Sequence, residues 1–158
     1  MTAVTLIHVG DFREGYFREA EEEYRKRLNA YCTYKTVCIP EERIPDEASD
    51  SQIAKALQKE AEKIRAAIPP HTTKIALCVE GKQMPSEAFA AMIGEKTLEG
   101  GLCFLIGSSH GLDESLKKEC AIRLSFSQMT FPHRIARILL AEQIYRGFTI
   151  LAGKRYHK

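Results

Sequence analysis

The sequence predicts an α/β fold, with a mostly parallel sheet and helices on both faces, on three observations. Five short apolar runs end in Gly, Pro or polar residues, amphipathic stretches with three- and four-residue spacing separate them, and no repeat, linker or low-complexity segment breaks the alternation. A length of 158 residues with 44% apolar and 28% charged side chains suits a single domain over 1–158. Such a domain buries its own core without a staple.

Val4 to Val9, inside the apolar run that opens at Ala3, has the pattern of a buried strand, which Gly10-Asp11 ends. Between Glu14 and Tyr31 the residues Tyr16, Phe17, Ala20, Tyr24, Leu28 and Tyr31 recur at helical steps with charges between them, which predicts an amphipathic helix. Tyr34 to Ile39 reads as a second strand closed by Pro40. After a polar loop, Asp50 or Ser51 caps a helix with Ile53, Ala54, Leu57, Ala61 and Ile64 inward, stopped by Pro69-Pro70. Lys74 to Val79 is a third strand ending in a turn at Glu80-Gly81-Lys82, and Ser86 opens a third helix that Gly100-Gly101 ends. Leu102 to Ile106 is a fourth strand running into Gly107-Ser108-Ser109-His110-Gly111. Asp113 caps a short helix to Glu119, and Ile122 to Phe126 is a fifth strand. Pro132 fits the first turn of a last helix, where its missing N–H costs nothing, and that helix carries Ile135, Ile138, Leu139, Ile144, Tyr145 and Phe148.

The net charge of +2 is unevenly divided: residues 1–130 hold 17 Lys and Arg against 20 acids, while residues 131–158 hold six against Glu142 alone. A basic end on a mildly acidic body fits either a polyanionic partner or a solvated helix face. The five cysteines form no C-x-x-C pair and have no histidine at metal spacing, so reduced thiols packed as small hydrophobes, and no metal, are expected. No stretch approaches the roughly twenty apolar residues of a membrane span. The first strand lacks the basic lead and cleavage site of a signal peptide, and a cytoplasmic location is expected.

Ligands of parallel α/β sheets bind outside the carboxyl ends of the strands. Here those ends carry Glu80-Gly81-Lys82, Gly107 to Gly111, and Ser127 to Pro132. Close approach of a ligand accounts for Gly107, and so does an ordinary strand-to-helix turn. The absence of G-x-G-x-x-G and G-K-[ST] disfavours a nicotinamide oxidoreductase and a phosphate-cradling loop. The Ser127–Phe131 loop, with Phe126 and Phe131 beside it, suits a flat base and a ribose, or is a turn between two core rings. His133 and His157 are candidate proton acceptors near neutral pH. Arg134 and Arg137, three apart on a helix, can hold a phosphate together, while Glu142 and Arg146, four apart, read as a helix salt bridge. Tyr156-His157-Lys158 is a frayed end or a nucleic-acid contact.

Gly81-Lys82, Ile106-Gly107, Leu124-Ser125 with Met129-Thr130-Phe131-Pro132-His133, Glu142-Gln143, Tyr145-Arg146 and the closing Tyr156-His157-Lys158 resemble the ribosomal RNA large subunit methyltransferase H family. These are small bacterial members of the SPOUT, or trefoil-knot, methyltransferases, and the resemblance spans nearly the whole chain. It implies a homodimer, a deep C-terminal knot that binds S-adenosylmethionine, and methylation of N3 of a pseudouridine in the helix 69 loop of 23S rRNA on the assembled ribosome. Carried over by position, the cofactor pocket is Leu77, Gly107, Phe126, Ser127, Gln128, Met129, Thr130 and Phe131. Arg134, Arg137, Lys154, Arg155 and Lys158 are expected on RNA. At the reacting base the candidates are His157, Tyr156, His133 and Arg137: an imidazole would take the N3 proton, or a guanidinium, Arg137 or Arg134, would favour the anion. Ser108 departs from the family's usual second glycine and would strain the loop if that position needs positive φ. The alternative function is a non-catalytic RNA- or ribosome-binding module of the same fold.

Overall fold

Parallel strands require crossovers, and in the computed structural model, which describes residues 1–158, a helix lies in every one. Strands β1 (Ala3–Val9), β2 (Thr33–Ile39), β3 (Thr72–Lys82), β4 (Gly101–Ile106) and β5 (Ile122–Leu124) form one sheet in the order β2-β1-β4-β3-β5, with every neighbouring pair parallel. Helices α1 (Gly15–Leu28), α2 (Asp50–Ala67), α3 (Ser86–Thr97), α4 (Glu114–Glu119) and α5 (His133–Leu151) cover it. On one face Leu28 of α1, Phe89 and Ile93 of α3, and Leu140 and Ile144 of α5 pack against Val4, Leu6 and Phe104. On the other, Ala61 and Ile64 of α2 and Leu116 of α4 pack against Ile7, Ala76 and Leu105. Burial on both faces is why the central strands read as continuous apolar runs.

Local chemistry moves several expected boundaries. Ser49, not Asp50 or Ser51, caps α2: its hydroxyl accepts from the Gln52 N–H while the Gln52 side chain accepts from the Ser49 N–H. Ala54 is exposed, so the inward stripe of α2 is narrower than expected. Pro132 is the N-cap of α5 itself. Asp113 caps α4 as expected, accepting from the Leu116 N–H. On α5, Ile135 and Leu139 are 40% and 39% exposed.

The largest departure is at Glu80-Gly81-Lys82, which does not turn the chain away but continues β3 around its neighbour. Leu124 of β5 pairs with Leu77 on one side and Lys82 on the other, and the Ser125 N–H donates to the Lys82 carbonyl at 3.0 Å. The segment between Leu77 and Lys82 therefore encircles the point where β5 leaves the sheet. A Cβ on Gly81 would lie 2.7–2.8 Å from backbone atoms of Arg123 and Leu124, so only glycine lets the two backbones pass. The chain arrives there from α4 on one face and departs to α5 on the other. That threading is the C-terminal knot.

Candidate active site at the knot

A cavity of about 750 Å³ opens where the chain crosses itself. Its walls are the end of β3 (Leu77 to Glu80), the Ile106–Leu112 loop, and the loop from Ser125 to His133. Seven of the eight expected cofactor residues, Leu77, Gly107, Phe126, Ser127, Met129, Thr130 and Phe131, lie on this wall, while Gln128 is exposed and outside it. Gly107 is required by its own loop: a Cβ there would sit 2.2 Å from the Gly111 carbonyl oxygen. Ser108 is not strained, because His71 is the only non-glycine residue with positive φ, and Gly111 takes the left-handed turn at φ 85°.

Three titratable groups shape the cavity. Lys117 of α4, buried, bridges Glu80 at 2.6 Å and Glu114 at 2.8 Å, fastening the encircling segment to α4. The hydrogen bond from Lys117 holds the Glu80 carboxyl below its ordinary range, so an ionised acceptor faces the cavity. His133 is half-buried on the wall, its Nε2 is buried without a hydrogen-bond partner, and burial with the neighbouring Arg134 lowers its pKa. A neutral imidazole carries one acceptor and one donor nitrogen at physiological pH. Cys78 also lines the cavity, but burial raises its thiol pKa, which makes a resting thiolate nucleophile unfavourable.

The structure separates the expected arginine pair. Arg137 turns inward, 7% exposed, with Nε at 2.5 Å and Nη2 at 2.6 Å from the two Glu21 carboxylate oxygens, Nη1 3.3 Å from Asp11, and its guanidinium carbon 3.9 Å above the Phe12 ring. A cation neutralised in this way cannot serve as an exposed phosphate contact or reach a reacting base. Arg134 remains nearer the surface, its Nε 3.3 Å from the Asp11 carbonyl. Lys154, Arg155 and Lys158 are exposed.

Within one chain the tail lines neither this cavity nor the smaller one beside it. His157 Nε2 lies 2.7 Å from Glu87 of α3 and its Nδ1 3.1 Å from Arg146. The Tyr156 hydroxyl donates to Glu142 at 3.2 Å, and Arg146 both pairs with Glu142, as expected, and stacks on the Tyr156 ring at 4.7 Å. Lys117 and Glu21 are the important groups the sequence did not flag: their partners lie 37 and 116 residues away.

A threaded parallel sheet with a ligand-sized cavity over the crossing is the architecture of a methyltransferase class. Residues 2–157 match the family described as "Predicted SPOUT methyltransferase". The fold resembles a probable methylase family protein from Haemophilus influenzae Rd KW20 (TM-score 0.59, 12% identity, 99% of this chain and 70% of that one). It also resembles a probable methyltransferase from Bordetella pertussis Tohama I (TM-score 0.57, 16% identity, 93% and 96% covered). In sequence the chain is 40% identical over 157 residues to the ribosomal RNA large subunit methyltransferase H of Streptococcus equi subsp. zooepidemicus (strain MGCS10565), covering 98% of this chain and 99% of the relative. It is 41% identical to that of Streptococcus pyogenes serotype M12 (strain MGAS2096), with the same coverage. The chain belongs to the ribosomal RNA large subunit methyltransferase H family of SPOUT methyltransferases.

Proposed function

We propose that the protein is a homodimeric, cytoplasmic enzyme that uses S-adenosylmethionine to methylate N3 of a pseudouridine in the helix 69 loop of 23S rRNA on the assembled ribosome. The observation that carries this is the 40% identity, over almost the full length of both chains, to proteins named for methylating large-subunit ribosomal RNA. The knot cavity fits the cofactor: its volume of about 750 Å³ lies in the range of ligand sites, and its wall mixes apolar and aromatic side chains with hydroxyl, imidazole and charged groups. When bound, S-adenosylmethionine supplies an electrophilic methyl group.

The chain's own residues do the rest. Phe126, Phe131 and the backbone of Ser127 to Thr130 hold the cofactor. The Glu80 oxygen not engaged by Lys117 accepts from its hydroxyl or ammonium groups. Alignment of the two reactants lowers the barrier by several kcal/mol. N3 of a neutral imide carries a proton, and an imidazole, that of His133 on the cavity wall or of His157 in the tail, accepts it. Arg134, Lys154, Arg155 and Lys158 meet the RNA backbone.

A homodimer is supported by an uncovered apolar stripe: Phe131, Ile135 and Leu139 recur every four residues and are 38%, 40% and 39% exposed, beside Met129 at 74%. A second copy on this stripe brings the partner's Tyr156 and His157 to the site, which the tail does not reach within its own chain.

The test is mass analysis of large-subunit RNA after ribosomes are incubated with the protein and isotope-labelled S-adenosylmethionine. One label on N3 of the pseudouridine is expected. A label on another nucleotide refutes that target and keeps the enzyme class, whereas tight ribosome binding without transfer identifies a binding module.

A further inference from the structure

Beside the knot cavity lies a second one of about 360 Å³, and Ser125, Phe126 and Phe131 line both. Whatever occupies the smaller space is one side chain away from a ligand in the larger. Its apolar wall includes Met84, Phe89, Leu124, Phe126, Phe131 and Leu139, so it borders the exposed stripe of α5, and its only side-chain amide is that of Gln143 on α5. Two hydrogen bonds fix this amide: its Oε1 accepts from the Ser86 hydroxyl at 2.7 Å, and its Nε2 donates to Glu142 at 2.9 Å. Glu142 is held in turn by Arg146 and by the Tyr156 hydroxyl. An amide oxygen has two lone pairs and an amide nitrogen two hydrogens, so one acceptor site and one donor site stay free.

From this geometry we infer that the smaller cavity seats the base to be methylated, an unstacked C-linked uracil, with Gln143 hydrogen-bonding the N1–H and C2=O edge that its glycosidic linkage leaves free, so that N3 stays open to the methyl donor. The inference rests on the proposed RNA methylation and adds the place and the groups that recognise the base. A flat ring between Phe and Met side chains gains stacking, as bases drawn from RNA loops do. An N–H next to a C=O pairs in two places with the free donor and acceptor of a held carboxamide, the same bidentate logic by which amides read base edges in DNA. The volume of about 360 Å³ is ample for one small ring system. The docked tail thereby gains a positioning role inside its own chain, because Tyr156 and Arg146 hold Glu142 and Glu142 orients the amide.

The experiment uses the full chain and the variants Gln143→Leu and Ser86→Ala. Ribosomes carrying the pseudouridine are cross-linked by ultraviolet light to the protein loaded with S-adenosylhomocysteine, and the adduct is mapped by mass spectrometry. Attachment to Met84, Phe89, Phe126 or Phe131 is expected, with Gln143→Leu lowering the yield and the rate of transfer to ribosomes roughly tenfold, the cost of about one lost recognition hydrogen bond. Calorimetric affinity for S-adenosylmethionine stays within about twofold, since one equivalent interaction lost there would shift it tenfold. Adducts mapping only elsewhere overturn the inference, and so does an unchanged yield in both variants. A parallel loss of cofactor affinity does the same, because it would make the cavity part of the cofactor's site. Cross-linking in the cavity by a protein that labels no ribosome would keep the base site and refute the proposed methylation.

Discussion

Arg137 meets its own chain on every side, and its neighbourhood makes it a structural cation. Removing only one member of a buried ion pair leaves the other charge desolvated and unmatched. Arg137→Met is therefore expected to lower the unfolding free energy by about 3–5 kcal/mol in urea titration, and Glu21→Met with Arg137→Met to recover most of that loss. Gly81→Ala is expected to yield no folded, knotted protein, because the added carbon meets threaded backbone rather than a movable side-chain tip; far-ultraviolet circular dichroism and gel filtration check it. Neither role was legible in the sequence. Glu21 is one of several acids on a helix that looks solvated, and its partner is 116 residues away. Gly81 looks like a turn residue unless the strand it must pass is known.

At the level of elements the sequence was more informative, since each helix and strand appears where periodicity put it. The errors have local causes. Ser49 displaced Asp50 because Gln52 stands three residues on and closes a capping box, a signal that was readable. The fifth strand is only three residues long because its pairing with β3 shifts register from Leu77 to Lys82 at Leu124, which was not readable. On α5 the apolar pattern runs nearly all round the helix: Leu140 and Ile144 reach the core, while Ile135 and Leu139 face out. Leu139→Lys is expected to convert a dimer to monomer in sedimentation velocity at micromolar concentration, with the melting temperature of the separated chain little changed. An unchanged sedimentation coefficient would remove the stripe from the interface.

At the scale of the whole molecule, acid stability follows from two imidazoles. Burial lowers the pKa of both His8 and His133 from 6.5, assisted by Arg137 and Arg134 respectively. The folded state binds their protons less readily than the unfolded chain, so their contribution is complete above pH 6.5 and is lost as the pH falls through their folded values. The urea midpoint is expected to be lower at about pH 5.5 than at pH 7.5, with a smaller difference in the His8→Asn, His133→Asn double variant. The knot carries a consequence in time. Ribosomes deliver a chain from its N-terminus at about 5–20 residues per second, so the Leu77–Lys82 loop emerges seconds before the segment it must surround. Two walls of the cavity are thus made early and the third is made last, after Ser125. No nascent fragment therefore has the complete cavity, which closes only once the final stretch has passed through the loop.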